Sequence, residues 1–192
     1  MDKVVISKQG RVHKFNLRSD ANGEDIVLKF PWSPMSSLIG HHHAGLESLT
    51  VEYTPYITTT RHGTYQVEIH DTREFFDTSK IRAQLLGETD IKCQVEFTGF
   101  DWAAKTEKSP YRLVFRSDLD ALALDKTVGI FKITSRFKYS NQDPPAVTVN
   151  VKGVKRKRKG KYEPTLDSIK YQDDDGMGVL VDLRDKPVLS HN

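Results

Sequence analysis

The sequence has a single cysteine, Cys93, among 192 residues. No disulfide can close within the chain, so the fold does not depend on an oxidising compartment. No stretch approaches the roughly 18 uninterrupted apolar residues of a membrane-spanning helix. Asp2, Lys3 and Lys8 sit where a secretory leader needs an apolar core. There is no glycine-rich phosphate loop and no motif that would activate a nucleophile. Nothing repeats internally. These absences point to a cytosolic, non-enzymatic protein that needs no cofactor and no metal, with any membrane association peripheral.

What is present is charge, unevenly spread. The net charge is +3. From Tyr162 onward seven acidic residues face three basic ones, which gives that segment −4 and leaves +7 on residues 1–161. A basic body with an acidic tail suits a polyanionic partner and a tail that folds back to compete with it.

The dominant pattern is period-two alternation, the mark of half-buried strands. Leu49, Val51 and Tyr53 alternate with polar residues, as do Tyr65, Val67 and Ile69. The same holds for Ile91, Cys93, Val95 and Phe97, for Phe131, Ile133, Phe137 and Tyr139, and for Tyr111, Leu113 and Phe115, though there Val114 breaks the polar side. Val147, Val149 and Val151 close the series, and earlier strands are expected near 11–17 and 26–30. Asn22-Gly23 reads as a hairpin turn. Pro31, Pro34, His62-Gly63 and Asp143-Pro144-Pro145 read as strand breaks. The pattern predicts an all-β, jelly-roll-like antiparallel sandwich. One short helix is expected over 78–86, where Ile81, Leu85 and Leu86 recur at helical spacing, with Thr78 or Ser79 as its cap. The expected division is a sandwich over 1–151, a basic linker over 152–161 and an acidic tail over 162–192.

The basic run is the sharpest chemical signal. Lys152, Lys155, Arg156, Lys157, Arg158, Lys159 and Lys161 fall within ten residues, with Gly153 and Gly160 among them. The composition reads as a flexible segment that neutralises phosphates without reading bases. A nuclear-import address and a solvated loop are the other readings. Lys132, Arg136 and Lys138 share one face of a strand, and Arg112 and Arg116 share a face of another. If those two strands are neighbours, they form a positive stripe.

Asp71 has the inward parity of Tyr65, Val67 and Ile69, at a strand end where a carboxylate needs partners. Capping the turn that follows, or pairing with Arg73, supplies them. His41-His42-His43 lacks nearby ligands for a metal and reads as a loop. Cys93 reads as a small core residue. Trp32 and Trp102 read as rim packing, with stacking on bases the alternative.

The string Val51-Glu52-Tyr53, then Gly63, then Val67-Glu68-Ile69-His70-Asp71-Thr72-Arg73 resembles the movement proteins of bipartite geminiviruses. Their corresponding strand pair ends in Val-Glu-Ile-His-Asp-Lys-Arg. The stretches from Ile26 to Pro31 and from Tyr111 to Arg116 are similar to further parts of them. Those proteins belong to the thirty-kilodalton superfamily of plant-virus movement proteins, whose signature is Leu-x-Asp followed by a distant glycine. Ile69-His70-Asp71 matches the first part with isoleucine for leucine, and Gly129 stands 58 positions beyond Asp71. The resemblance spans about residues 24–140 and leaves out the basic run.

The resemblance implies a jelly-roll-like sandwich and sequence-independent, cooperative binding of viral nucleic acid, single- or double-stranded. It also implies self-association into oligomers or tubules, peripheral attachment to host membrane, and action with host proteins at plasmodesmata. It leaves open whether the genome is DNA or RNA. The alternative is a jelly-roll capsid protein that packages nucleic acid. A nuclease using His70 and Asp71 ranks last, because strand neighbours point to opposite faces.

Overall fold

Apolar alternation along an extended chain sends one set of side chains to a core and the other to water. The computed structural model follows that rule along most of its strands, with breaks at bulges in β3 and β5 and at Val114 of β8. It describes residues 5–19, 21–30, 40, 42–56, 63–73, 80–104, 107, 110–119, 127–142, 147–158, 161–163, 169–171 and 178–184. The strands are β1 (Val5–Arg18), β2 (Asn22–Leu28), β3 (His43–Pro55), β4 (Gly63–Asp71), β5 (Lys80–Glu88), β6 (Lys92–Thr98) and β7 (Trp102–Ala104). They continue with β8 (Tyr111–Leu119), β9 (Thr127–Ser140), β10 (Asn150–Arg158), β11 (Lys161–Glu163), β12 (Ile169–Tyr171) and β13 (Val179–Asp182).

The pairing is nested. β4 pairs with β5, β3 with β6, β2 with β8 and β1 with β9, all antiparallel. Successive pairs alternate between two sheets, like a double ribbon rolled up around its middle. Sheet I runs β1-β9-β3-β6 and sheet II runs β2-β8-β4-β5. This is the strand order of a jelly roll.

The C-terminal part extends both sheets on the same side. β10 and β11 follow β6 in sheet I, while β13 and β12 follow β5 in sheet II. Among its described residues the expected basic linker is therefore strand, not flexible chain. Val154 and Arg156 of β10 stand opposite Val95 and Cys93 of β6, so the run has an inward set that ties it to the core. The described parts of the acidic segment are not a free tail either. β13 lies parallel to β5, with Val179, Val181 and Leu183 buried.

Two other expectations are corrected. Residues 80–88 form β5, not a helix, and the proposed caps Thr78 and Ser79 lie outside the described residues. Ala83 and Leu85 are buried at period two and Gly87 follows in step, so the sheet's parity overrides the helical spacing of Ile81 and Leu85. Asn22-Gly23 opens β2 at a register shift, with Gly23 at a φ of 94°. It joins no hairpin, because β1 and β2 lie in different sheets. Trp32, Pro31, Pro34, His41, His62 and Asp143-Pro144-Pro145 lie outside the described residues.

An aromatic cluster bridges the sheets. Phe131 of β9 lies 4.8 Å from Tyr53, 5.0 Å from Tyr65 and 5.2 Å from Phe115, ring centre to ring centre. Cys93 is a core residue, as its parity predicts, 2.9 Å from the Tyr65 hydroxyl. Burial pushes its thiol up to about 11.

Gly129 has a steric reason to lack a side chain. A Cβ there would come within 2.4 Å of the Tyr53 hydroxyl oxygen and 2.5 Å of its ring. Gly129→Ala should cost about 1–3 kcal/mol by overpacking. At this chain length that lowers Tm by about 2–12 °C. Tyr53→Leu, which removes the ring, should make the glycine change less costly in the double variant. A Gly129→Ala protein that melts with the parent would refute the steric account.

Candidate nucleic-acid interface

The outer face of sheet I is built by alternation in four strands. In β9, Phe131, Ile133, Phe137 and Tyr139 are buried, which sends Lys132, Thr134, Arg136 and Lys138 outward. In β6, buried Cys93, Val95 and Phe97 leave Lys92, Gln94 and Glu96 outside. The ladder then places Lys155 beside Gln94 and Lys157 beside Lys92. On the other flank Lys14 of β1 stands opposite Lys132.

The two basic sets expected from the sequence thus share one surface. One row reads Lys14, Lys132, Glu52, Gln94, Lys155 across five strands. At about 4.8 Å per strand the row is about 19 Å wide. Lys152 joins the same face through a 3.4 Å contact with Glu96. Lys14 and Lys92 were not singled out in the sequence. The parity of Phe15 and Cys93 marks both as outward, but nothing local says which strands adjoin β9.

Glu52 and Glu96 interrupt the positive field. Glu52 lies 3.9 Å from Lys132 and 3.5 Å from Lys92. Such solvated pairs contribute about 0–1 kcal/mol, so a polyanion can displace them at little cost. Among the described residues Lys14, Arg136 and Lys155 have no ion-pair partner.

Not every expected residue joins the face. Arg156 points inward, is 9% exposed and lies 3.8 Å from Glu88 of β5. It braces one sheet against the other and is unavailable to phosphate. Arg158 and Lys161 are register partners where β10 meets β11, and Lys159 lies outside the described residues. Arg112 and Arg116 sit on β8 in sheet II, so the stripe that needed β8 beside β9 does not form. Arg112 lies 3.8 Å from Asp25 instead.

Asp71 and Arg73 do different work. Asp71 ends β4 fully buried. It accepts hydrogen bonds from the Arg73 backbone N–H at 3.2 Å and from Arg73 Nε at 2.9 Å. Arg73 Nη2 also donates to it. This is the turn cap and the Arg73 pairing that the sequence led one to expect. A second guanidinium was not foreseen. Arg82 Nε lies 3.6 Å from Asp71, and Arg82 Nη2 donates to Asp101 at 3.2 Å. Two carboxylates and two guanidiniums therefore alternate at this end of the sandwich. Burial works against the charge of Arg73, but the hydrogen bonds and charge of Asp71 outweigh it, so its pKa rises. Arg73 Nη1 also donates to the backbone oxygen of Trp102 at 2.7 Å, which anchors β7.

His70 turns the other way and pairs with Glu68 at 2.7 Å. It shares no site with Asp71. Among the described residues no group of three or more His, Cys, Asp or Glu side chains could hold a metal ion.

No family model matches the chain. It is 26% identical over 148 residues to "Protein 3" of Northern cereal mosaic virus, covering 76% of this chain and 84% of that protein. Similar solved structures include desmodium yellow mottle tymovirus, at 14% identity and a TM-score of 0.49, covering 76% of this chain and 92% of that one. The decameric BFDV capsid protein is 11% identical with a TM-score of 0.45, covering 71% and 99%. A semi-empty particle of the giant freshwater prawn nodavirus is 9% identical with a TM-score of 0.42, covering 75% and 97%. The sequence relative is a virus protein. The narrower likeness to bipartite geminivirus movement proteins remains a proposal.

Proposed function

We propose that this chain is a plant-virus movement protein that binds viral nucleic acid without sequence preference and carries it from cell to cell. The observation that carries the reading is the outer face of sheet I. Eight cations, Lys14, Lys92, Lys132, Arg136, Lys138, Lys152, Lys155 and Lys157, lie on one broad surface. Such a surface neutralises phosphates and releases their counterions whatever the base sequence. The likeness to a cereal-virus protein and the Asp71 and Gly129 signature give the viral context. Self-association along the nucleic acid, peripheral contact with host membrane and action at plasmodesmata belong to the same proposal.

The second reading is a small capsid protein. The nested strand order favours it, since jelly rolls are the usual shell-building fold of viruses. Fold alone does not decide function. Negative-stain microscopy of the assembled protein separates the two: closed shells favour a capsid, filaments or tubules a carrier. In leaf epidermis a tagged carrier should form puncta at the cell wall.

Neutralising Lys14, Lys132, Arg136 and Lys155 to glutamine tests the interface. Each lost phosphate contact on a single strand removes about 0.7 from the salt slope, so the four together should flatten it by about 2.8. Affinity should fall alike for all sequences, and melting should hold, because these side chains are solvated. An unchanged slope would remove this face from the proposal.

A further inference from the structure

Gly45 of β3 faces Lys138 of β9 on one side and Trp102 of β7 on the other. Cross-strand partners share a face, so all three belong to the outer surface of sheet I. Gly45 has no side chain, and its neighbours lean over the gap. The Trp102 ring comes within 3.0 Å of where a Cβ would stand, and the Lys138 Cε within 3.1 Å. Lys138 Nζ lies over the indole, 4.6 Å from the ring centre. The ring is half-buried, and its backbone oxygen is held by Arg73.

We propose that Trp102 is a stacking platform for an unpaired base, at the end of the cationic face. This rests on reading that face as the nucleic-acid surface, and it adds a preference for single strands. Every base has a π-face, so stacking needs no sequence, whereas in a duplex the base faces are already taken by their neighbours. Lys138 occupies the ring while the surface is empty. When a strand arrives, the ammonium moves to a phosphate and the exposed ring takes a base. Lys132, Arg136 and Lys138 lie along one strand over about 20 Å, enough to follow several phosphates leading to the ring. Asp71 is a positioning residue here: it orients Arg73, which holds the Trp102 backbone.

Replacing Trp32 with phenylalanine leaves Trp102 as the sole tryptophan. Titration with labelled oligothymidylate, and with a duplex of equal length, should quench Trp102 emission only for the single strand. Trp102→Leu should weaken single-strand binding about five- to 150-fold while leaving duplex affinity and salt slope unchanged. Trp102→Phe, which keeps a ring, should recover most of the loss. If Trp102→Leu melts early, the quenching measured with Trp102 in place still decides the question. Binding of oligothymidylate without quenching, or equal losses on both ligands, overturns the stacking site and leaves the cationic face standing. Absence of binding to either ligand by the parent chain overturns both.

Discussion

Removal of residues 178–192 is expected to abolish cooperative thermal unfolding. The segment carries β13, whose residues Val179, Leu180 and Val181 are 1%, 9% and 0% exposed, and Leu183, at 3%. Burying each such side chain is worth about 1.5–3 kcal/mol, so their removal withdraws about 6–12 kcal/mol as an upper estimate. A whole domain retains about 5–15 kcal/mol. The Leu183 N–H also donates to the Leu86 carbonyl at 2.9 Å, and loss of β13 would bare the edge of β5. An autoinhibitory acidic tail predicts the opposite phenotype, a folded protein that binds nucleic acid more tightly at low salt. β13 is clipped to sheet II, whereas the cationic face is the outer side of sheet I. Circular dichroism melts and a low-salt titration on the truncated chain separate the two. A sharp transition within a few degrees of the parent would sink the expectation.

Asp71→Ala should lower Tm by about 6–20 °C, from a loss of about 3–5 kcal/mol. The figure exceeds that of a lost turn cap because of Arg82, which is 3% exposed and would keep its charge beside a missing partner. Asp101 remains, but it also serves Arg73 at 3.6 Å and is itself partly solvated. A contact-repulsion role for Asp71 would instead strengthen nucleic-acid binding and leave melting untouched. Melting and titration of the same preparation decide. An unshifted Tm would rule out the architectural role.

Arg82 also shows why part of the site was not legible. The register runs from Ile69 opposite Ala83 to His70 opposite Ile81, so Arg82 is the extra residue of a bulge. A bulge re-aims a side chain against the local parity. That is how a cation reaches Asp71 from a strand whose apolar spacing also fits a helix. Where parity was unbroken, as in β6, along β9 from Phe131 to Tyr139 and in β3 from Leu49 to Tyr53, the inward residues were readable directly. The basic run misled for a different reason. Seven like charges in ten residues repel in isolation, but Glu88 and Glu96 approach Arg156 and Lys152 from other strands. Partners distant in sequence cannot be read from local composition. The same limit hid Lys14 from the face and left open whether Arg112 and Arg116 belonged to it.

The nested pairing also sets an order of events during synthesis. β1 finds its first described partner only when Thr127 follows Arg18, about 110 residues later. At about 5–20 residues per second, β1 leaves the ribosome some 5–25 seconds before β9 exists. β4 and β5 can pair early, but sheet I cannot close around them until β9 arrives. The contact order is high, and folding is correspondingly slow. Neighbouring nascent chains on one message therefore hold bare, matching strands at the same time.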